Sequence, residues 1–567
     1  MDQRCITAQS DLTLTVERQH TAFSQARDLM MRFAELVKCP EYLHTYKITR
    51  LSLWNAASLG LNSQKLIAQL EPFLKFSLPA AVRTHICDIM ALWGPLQLIV
   101  KDGTINLLVH DKSLLEYIIA EKKVRENLIN PETWADQLHS NSPACFTVHP
   151  LARGQLKVAL MGLGLPVEDI AGYQDGTPHP ISLKETLSLR EYQKEAVEAF
   201  YHNNSVFGGS GAIVLPCGAG KTIVGMAIMA KLGMRTLILG TNVTALHQWK
   251  RELLDKTDLL ESDIGEYYGN SKNIKPITLA TYNILTSRKR KTDPFIHFSL
   301  FEAESWGLII YDEVHLLPAP VFQATANLQA RRRLGLTATL VREDGRSGDV
   351  FSLIGPKRYE VPWKTLEEQG WIARANCIEI SLPFQRNTVP GYLNLTRREQ
   401  YRLAACNDSK LEVLATLLEE HSGKSILILG MYLNQLRQAA ETFQIPLLDG
   451  SSPQRQRNQV YAKFQAGEIL ILALSKIGNS SVDLPDAQVA IQISGTFGSR
   501  QEEAQRLGRI LRPKPGDNQA FFYNLVSSPS PEEDFALNRQ LFLVEQGYNY
   551  TYQRYAEIDQ EIDCANY

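Results

Sequence analysis

Three stretches of this chain carry residue types at spacings suited to one kind of chemistry. The first is Leu215-Pro216-Cys217-Gly218-Ala219-Gly220-Lys221-Thr222, a small-residue turn ending in a cation and a hydroxyl. Placed between an apolar run and an amphipathic one, such a turn offers backbone N–H groups and a helix N-terminus to a triphosphate. Lys221 would reach the β- and γ-phosphates, and the Thr222 hydroxyl would ligate Mg²⁺. Leu215 stands where a fuller version of this pattern carries its first glycine. The second stretch, Leu308-Ile309-Ile310-Tyr311-Asp312-Glu313, is an apolar run ending in two acids. Adjacent acids at a strand end can divide the work, Asp312 holding the metal and Glu313 polarising the attacking water. The third, Gln505-Arg506-Leu507-Gly508-Arg509-Ile510-Leu511-Arg512, sets Arg509 and Arg512 on one face of a turn or helix. Together they imply hydrolysis of ATP at Mg²⁺, with Lys221, Asp312, Glu313, Gln505, Arg509 and Arg512 as catalytic residues and the whole 215–222 run as the phosphate cradle.

Those residues need strands and helices to hold them. From Gly211 onward short apolar runs alternate with helical ones: Ala212–Leu215, Thr236–Gly240, Ile277–Thr281, Leu308–Tyr311 and Arg333–Thr337, with the helical Lys221–Leu232 and Ala245–Asp255 between. The pattern halts near Trp363 and restarts at Ser425–Leu429, Leu447–Leu448, Ile469–Leu474, Val489–Ile493 and Phe521–Leu525. Strands interleaved with helices predict parallel sheets covered on both faces. The fold class is therefore α/β: two tandem motor-like parallel-sheet domains preceded by an α+β N-terminal region. In that region Ala22–Val37, Ser63–Leu70, Leu114–Leu128 and Gln155–Leu163 read as helices, and Phe146–Val148 as a strand. Leu96–Val100 and Ile105–Val109 read as a hairpin turning at Asp102-Gly103. The expected domains are 1–94, mostly helical; 95–175, α+β; 181–364 and 411–567, the two sheets; and 365–410, a connector.

Bulk properties exclude several classes. The 567 residues are 44% hydrophobic and 21% charged, with a net charge of −2, so no global field draws a polyanion and any nucleic-acid groove must be local. Eight cysteines are scattered without Cys-x-x-Cys or Cys/His pairing at zinc spacing. No leader pattern is read at Met1–Cys5, and Ile89–Val100 is too short and interrupted to span a bilayer. The expectation is a cytoplasmic monomer, nucleoid-associated in a prokaryote, with no membrane partner.

The set of motifs resembles superfamily 2 helicases, and more narrowly the XPB helicases. Leu189-Arg190-Glu191-Tyr192-Gln193 looks like the adenine-side motif, with Arg190 and Gln193 as contacts. Asp312-Glu313-Val314-His315 matches the DEVH box, Leu336-Thr337-Ala338-Thr339 motif III, and Arg342-Glu343-Asp344 the RED element. Ser475-Lys476-Ile477-Gly478-Asn479, Asp483-Leu484-Pro485 and Phe497-Gly498-Ser499-Arg500 complete the second-domain signature. The likeness covers Leu189 to Arg512, and more weakly reaches Arg153–Lys157 and Glu168–Tyr173, similar to the end of a damage-recognition-like domain.

What this resemblance implies is a fold of two RecA-like domains and an ATP-dependent 3′–5′ DNA helicase acting in repair. The partner would be DNA at a single-strand/duplex junction, and a nuclease or other repair partner is left unidentified. Arg342, Glu343 and Asp344 would bear on unwinding. His315, Thr337 and Thr339 would relay nucleotide state to the DNA groove. Thr281, Tyr282 and Arg500 are candidate DNA contacts, with Asn242, Gln248, Trp249 and the basic runs Arg288–Lys291 and Arg331–Arg333 beside them. Trp249 on an amphipathic helix reads more readily as core than as a stacking platform. The family's helical thumb has only Pro383–Asn407 available, so it is short or vestigial. Two other readings stay open: a duplex translocase that separates no strands, and an ATP-gated binder of damaged DNA. On the arginine assignment, Arg509→Ala is expected to keep nucleotide affinity while hydrolysis falls by orders of magnitude, as a fluorescent-nucleotide titration beside a phosphate-release assay would read.

Overall fold

The protein is described from a computed structural model, which covers residues 3–38, 42–138, 140, 142–149, 152–205, 208–216, 218–290, 293, 295–301, 303–317, 321, 331–338, 347–361, 363–385, 391–475, 487–496, 503, 506–508, 510–512, 518–546 and 548–555. The chain divides into two compact units, Met1–Leu215 with Gly220–Val361 and Pro216–Ala219 with Pro362–Tyr567.

The first unit opens with β1 (Ile6–Ala8), β2 (Thr13–Glu17), β3 (Glu35–Lys38) and β4 (Leu43–Lys47), an antiparallel sheet in the order β1-β2-β4-β3. Period-two alternation builds it: Leu14, Val16, His44 and Tyr46 face inward, each nearly inaccessible to solvent. Helices Phe23–Met30, Arg50–Ser58, Ser63–Leu70 and Ala80–Ala91 accompany the sheet. Thr49 and Ser52 form a capping box at the second helix, and the Asn62 side chain accepts from Lys65 N at the third. Helix accounts for more of this region than strand, but the sheet is an addition to the sequence reading. The expected helix Ala22–Val37 stops at Met30, because Glu35–Lys38 pairs with β4 and tertiary pairing overrides local helix propensity.

A second sheet follows: β5 (Leu96–Lys101), β6 (Thr104–Val109), β7 (Ala144–Thr147) and β8 (Glu168–Asp169), ordered β7-β6-β5-β8. The β5–β6 hairpin turns at Asp102-Gly103, both with positive φ (51° and 74°), as a two-residue type I′ turn requires. The expected single helix Leu114–Leu128 is broken at Glu121, whose backbone is extended, into Leu115–Ala120 and Lys122–Arg125. Helix Arg153–Gly162 packs Leu156 and Leu160 into a core with Leu98, Leu107 and Phe146.

The same unit then builds β9 (Ser210–Val214), β10 (Thr236–Gly240), β11 (Ile264–Tyr268), β12 (Ser271–Lys272), β13 (Ile277–Thr281), β14 (Leu308–Asp312), β15 (Arg332–Thr337) and β16 (Lys357–Glu360). Their order is β12-β11-β13-β10-β14-β15-β9-β16, parallel throughout except for β12. Strands β9, β10 and β13 are buried at every residue, the pattern of a sheet covered on both faces. Strands β11, β12 and β16 were not read from sequence.

The second unit holds β17 (Arg374–Pro383), β18 (Ile426–Leu429), β19 (Leu447–Leu448), β20 (Ile471–Leu474), β21 (Val489–Gln492), β22 (Gln519–Ser528) and β23 (Tyr550–Arg554). They form a wholly parallel sheet ordered β19-β20-β18-β21-β22-β17-β23. Strand β17 pairs with β22 along ten residues, so this sheet begins inside the segment 365–410 that sequence assigns to a connector. Helix Arg397–Ala405, the helical part of the expected short thumb, belongs to the same fold. Tyr401 is fully buried with its hydroxyl on Gly495 O (2.7 Å), and Ser527 Oγ donates to Ala404 O (2.7 Å).

His44 gives the N-terminal sheet a pH dependence. Its ring is buried edge-to-face with Phe23 (5.1 Å), and desolvation, helped by Arg18 and Arg27, lowers its pKa to about 4. An unfolded histidine takes its proton near 6.5, so stability is flat above that pH and falls as pH drops toward 4. Replacing the ring by His44→Leu is expected to narrow the acid-side loss by ~2 kcal/mol. Urea unfolding at pH 7 and 4.5, with both variants, measures it.

Candidate nucleotide site

In the sheet order, β15 lies between β9 and β14, so the segments leaving these three strands emerge side by side at one edge. That edge, at the carboxyl ends of parallel strands, is where α/β sheets place ligands. Leu215 N donates to Thr337 O (3.0 Å), which registers the start of the loop to the end of β15. Gly218 and Gly220 take positive φ (82° and 79°), and Gly220 is the N-cap of helix Lys221–Leu232. Cys217 lies outside the described residues. A Cβ on Gly220 would stand 2.7 Å from Gln193 Nε2, so the Gln193 amide lies against the loop. Gln193 is buried, its Oε1 accepts Arg190 N (3.0 Å), and Arg190 Nη1 donates to Tyr192 Oη (3.2 Å). The adenine-side pair read from sequence is thus brought beside the loop through Gln193. Thr222, partly buried, is the second residue of the helix.

The two acids leave β14 together. Lys221 Nζ lies 3.5 Å from Glu313 Oε1, both side chains largely shielded. Glu313 is held at φ 51°, a left-handed conformation that costs a non-glycine residue strain and that surrounding contacts must maintain. Asp312 Oδ1 accepts Glu313 N (3.1 Å), and Asp312 Oδ2 accepts the Trp249 indole N–H (3.0 Å). Burial, with the Glu313 charge next to it, raises the Asp312 pKa to about 6. Two adjacent carboxylates in a poorly hydrated place are stabilised by a divalent cation, so Asp312 with the Thr222 hydroxyl fits Mg²⁺, and the glycine loop with Lys221 fits a triphosphate. His315 Nδ1 is 2.6 Å from Thr337 Oγ1 and 3.4 Å from Glu313 Oε2, with His315 and Thr337 both buried. The segment after β14 and the end of β15 are thereby joined through one imidazole.

The nucleic-acid candidates fare unevenly. Thr281 is buried and its Oγ1 accepts Ile284 N as a helix cap; Tyr282 is buried with its hydroxyl on Asp312 O (2.8 Å). Both hydroxyls are bonded inside the protein. Asn242 caps helix Val243–Lys256 through Ala245 N, and Gln248 donates to Glu252. Trp249 is core, with its N–H on Asp312. The run Arg331–Arg333 is no free basic face. Arg332 bonds Asp175 and Asn204, while Arg333, fully buried, donates to Leu353 O. Arg288, Lys289 and Arg290 are exposed, as a solvated basic run would be. Thr339, Arg342, Glu343, Asp344, Arg500, Gln505 and Arg509 lie outside the described residues, and Arg512 is partly buried.

Sequence reasoning missed two sets of residues. The Trp249–Asp312 bond had one signal, a glycine (Gly225) inside an otherwise apolar helix. In the second unit, buried Arg506 donates to Gln492, Gln492 to Glu503 (3.1 Å) and Asn524 (3.0 Å), and Arg539 pairs with Glu503 (3.5 Å). No local pattern announces that network.

The chain is similar to known helicases over nearly its whole length. A family model described as ERCC3/RAD25/XPB C-terminal helicase matches residues 366–565. One for the type III restriction enzyme res subunit matches 186–342, and one described as helicase conserved C-terminal domain matches 6–131. The DNA 3′-5′ helicase XPB of Mycobacterium tuberculosis is 46% identical over 547 residues, covering 96% of both chains. That of Kineococcus radiotolerans is 46% identical over 561 residues, 98% of both. The general transcription and DNA repair factor IIH helicase/translocase subunit XPB of Encephalitozoon cuniculi is 32% identical over 556 residues, covering 95% of this chain and 81% of its own. This chain belongs to the XPB family of helicases.

Proposed function

We propose that the chain is an ATP-dependent DNA helicase of 3′–5′ polarity that works in DNA repair with Mg²⁺ as its metal. The observation that carries the reading is the meeting of Lys221, Asp312 and Glu313 at one sheet edge in a chain collinear with XPB helicases. Bound magnesium would spread the charge of the phosphates and hold them in line. The chain's own residues do the rest. The N–H groups around Gly218–Thr222 and the following helix N-terminus bind the phosphates, and Lys221 exchanges its contact with Glu313 for them. That exchange releases the Glu313 carboxylate to orient a water and take its proton. Asp312 and Thr222 would hold the metal, and Gln505, Arg509 and Arg512 would act on the transition-state charge. His315, bonded to Thr337 Oγ1, carries the state of the acidic pair to the end of β15. No described helix is long and apolar enough to cross a membrane.

ATP turnover measured with and without single-stranded, duplex and forked DNA tests enzyme, substrate and coupling together. Strand separation of a 3′-tailed fork is the expected product. Displacement of a triplex without fork unwinding would replace the helicase reading with a duplex translocase. Lys221→Ala is expected to abolish turnover on every DNA. Thr337→Val, which removes the hydroxyl but keeps the shape, is expected to retain DNA-free turnover within a few-fold and to lose most DNA stimulation.

A further inference from the structure

The indole of Trp249 is buried among three elements at the edge of the eight-stranded sheet. It comes from helix Val243–Lys256, lies against helix Lys221–Leu232, and reaches the end of β14. Only 2% of the residue is exposed, yet its single polar atom is committed to Asp312 Oδ2 at 3.0 Å. An indole N–H is a donor and nothing else, so it accepts no competing role. The other Asp312 oxygen takes the backbone N–H of Glu313 at 3.1 Å. With one donor on each oxygen the carboxylate plane is pinned, and each oxygen keeps a lone pair for a cation.

The packing shows that the ring's place is built for this contact. Gly225 lies in the middle of a helix, where glycine costs ~1 kcal/mol against alanine. A Cβ there would meet Trp249 Cη2 at 2.7 Å and Cζ3 at 3.4 Å. The glycine therefore leaves the six-membered ring the room that lets the five-membered ring reach Asp312. A tryptophan serving only as hydrophobic filling would need no such pairing of an absent side chain with a directed N–H.

We propose that Trp249 is a positioning residue for the metal: its N–H holds Asp312 in the orientation that binds a divalent cation, and Gly225 holds Trp249 in place. This deepens the Mg²⁺–ATP reading above and rests on it. It also places the metal-holding acid in direct contact with a helix that begins one residue after Asn242, so a shift of that helix is felt at Asp312.

The test uses the full chain and Mn²⁺ as a spin-active stand-in for Mg²⁺, titrated by electron paramagnetic resonance in the presence of a non-hydrolysable ATP analogue. Trp249→Phe keeps a ring and removes the donor. Its Mn²⁺ affinity is expected to fall roughly tenfold or more, while metal-free ADP affinity stays within twofold of the parent chain. In turnover, the Mg²⁺ concentration for half-maximal rate rises by the same factor. Gly225→Ala, which retains the indole but displaces it, is expected to weaken Mn²⁺ in the same way. The double variant should then be no weaker than Trp249→Phe alone, since both act through one bond. Wild-type Mn²⁺ affinity in Trp249→Phe overturns the proposal, as does equal loss of metal-free ADP affinity, which would mark general damage to the fold. If Trp249→Phe does not fold, Gly225→Ala decides by the same two affinities. The parent chain is measured first. Failure of the parent to bind Mn²⁺ with nucleotide removes the ATPase reading itself, whereas a normal parent with an unchanged variant removes only this inference.

Discussion

The carboxyl edge of the eight-stranded sheet depends on keeping two adjacent carboxylates charged in a poorly hydrated place. Asp312 and Glu313 repel each other, and burial raises the cost. The local answer is distributed: Lys221 sits on Glu313, while Trp249 and the Glu313 N–H sit on Asp312. Glu313 also adopts a left-handed backbone to reach this arrangement, strain that the parallel register of β9, β15 and β14 sustains. His315 ties the end of β15 to the acids.

The second constraint is electrostatic too, and it fastens the N-terminal region to the first sheet. Tyr173 donates its hydroxyl to Ser210 Oγ at 2.7 Å, at the first residue of β9. Guanidinium groups of Arg153, Arg332 and Arg333 approach its ring at 5.5, 5.9 and 5.6 Å. Arg153 and Lys157 share the Asp169 carboxylate, which they hold well below the usual range against its burial. Two of those arginines open β15. Strands β9 and β15 therefore begin at a cluster built with Arg153 and Tyr173, residues that precede β9 in the chain. Cations that a sequence presents as a basic run are spent here on packing, which explains the loss of Arg331–Arg333 as a DNA candidate.

The second unit repeats the theme with a buried polar core. Lys410 and Glu532, both wholly buried, form an ion pair and bond Ile493 O and Ser527 N. Arg539 lies flat on Gly495, where a Cβ would stand 2.2 Å from its Cζ, and donates to Thr496 O. Breaking such a buried pair by removing one partner leaves the other charge uncompensated, which is strongly destabilising. The segment they hold, Ile493 to Thr496, leaves β21 toward the second-domain motif at 497–500.

By itself the sequence determined the chemistry and the broad architecture. The residue types of the 215–222 loop, the acids after Tyr311 and the strands Thr236–Gly240 and Ile277–Thr281 were all legible, because spacing and hydrophobic period are local properties of a chain. The same holds for helix Lys221–Leu232 and the Asp102-Gly103 turn. Tertiary structure alone decided that Glu35–Lys38 is a strand, that β17 crosses to pair with β22, and that Tyr282 and Trp249 bond Asp312. It also decided which arginines are buried. The reason is physical: a polar group's partner is chosen by what long-range packing brings within 3 Å of it once water is excluded, and no window of neighbouring residues contains that information.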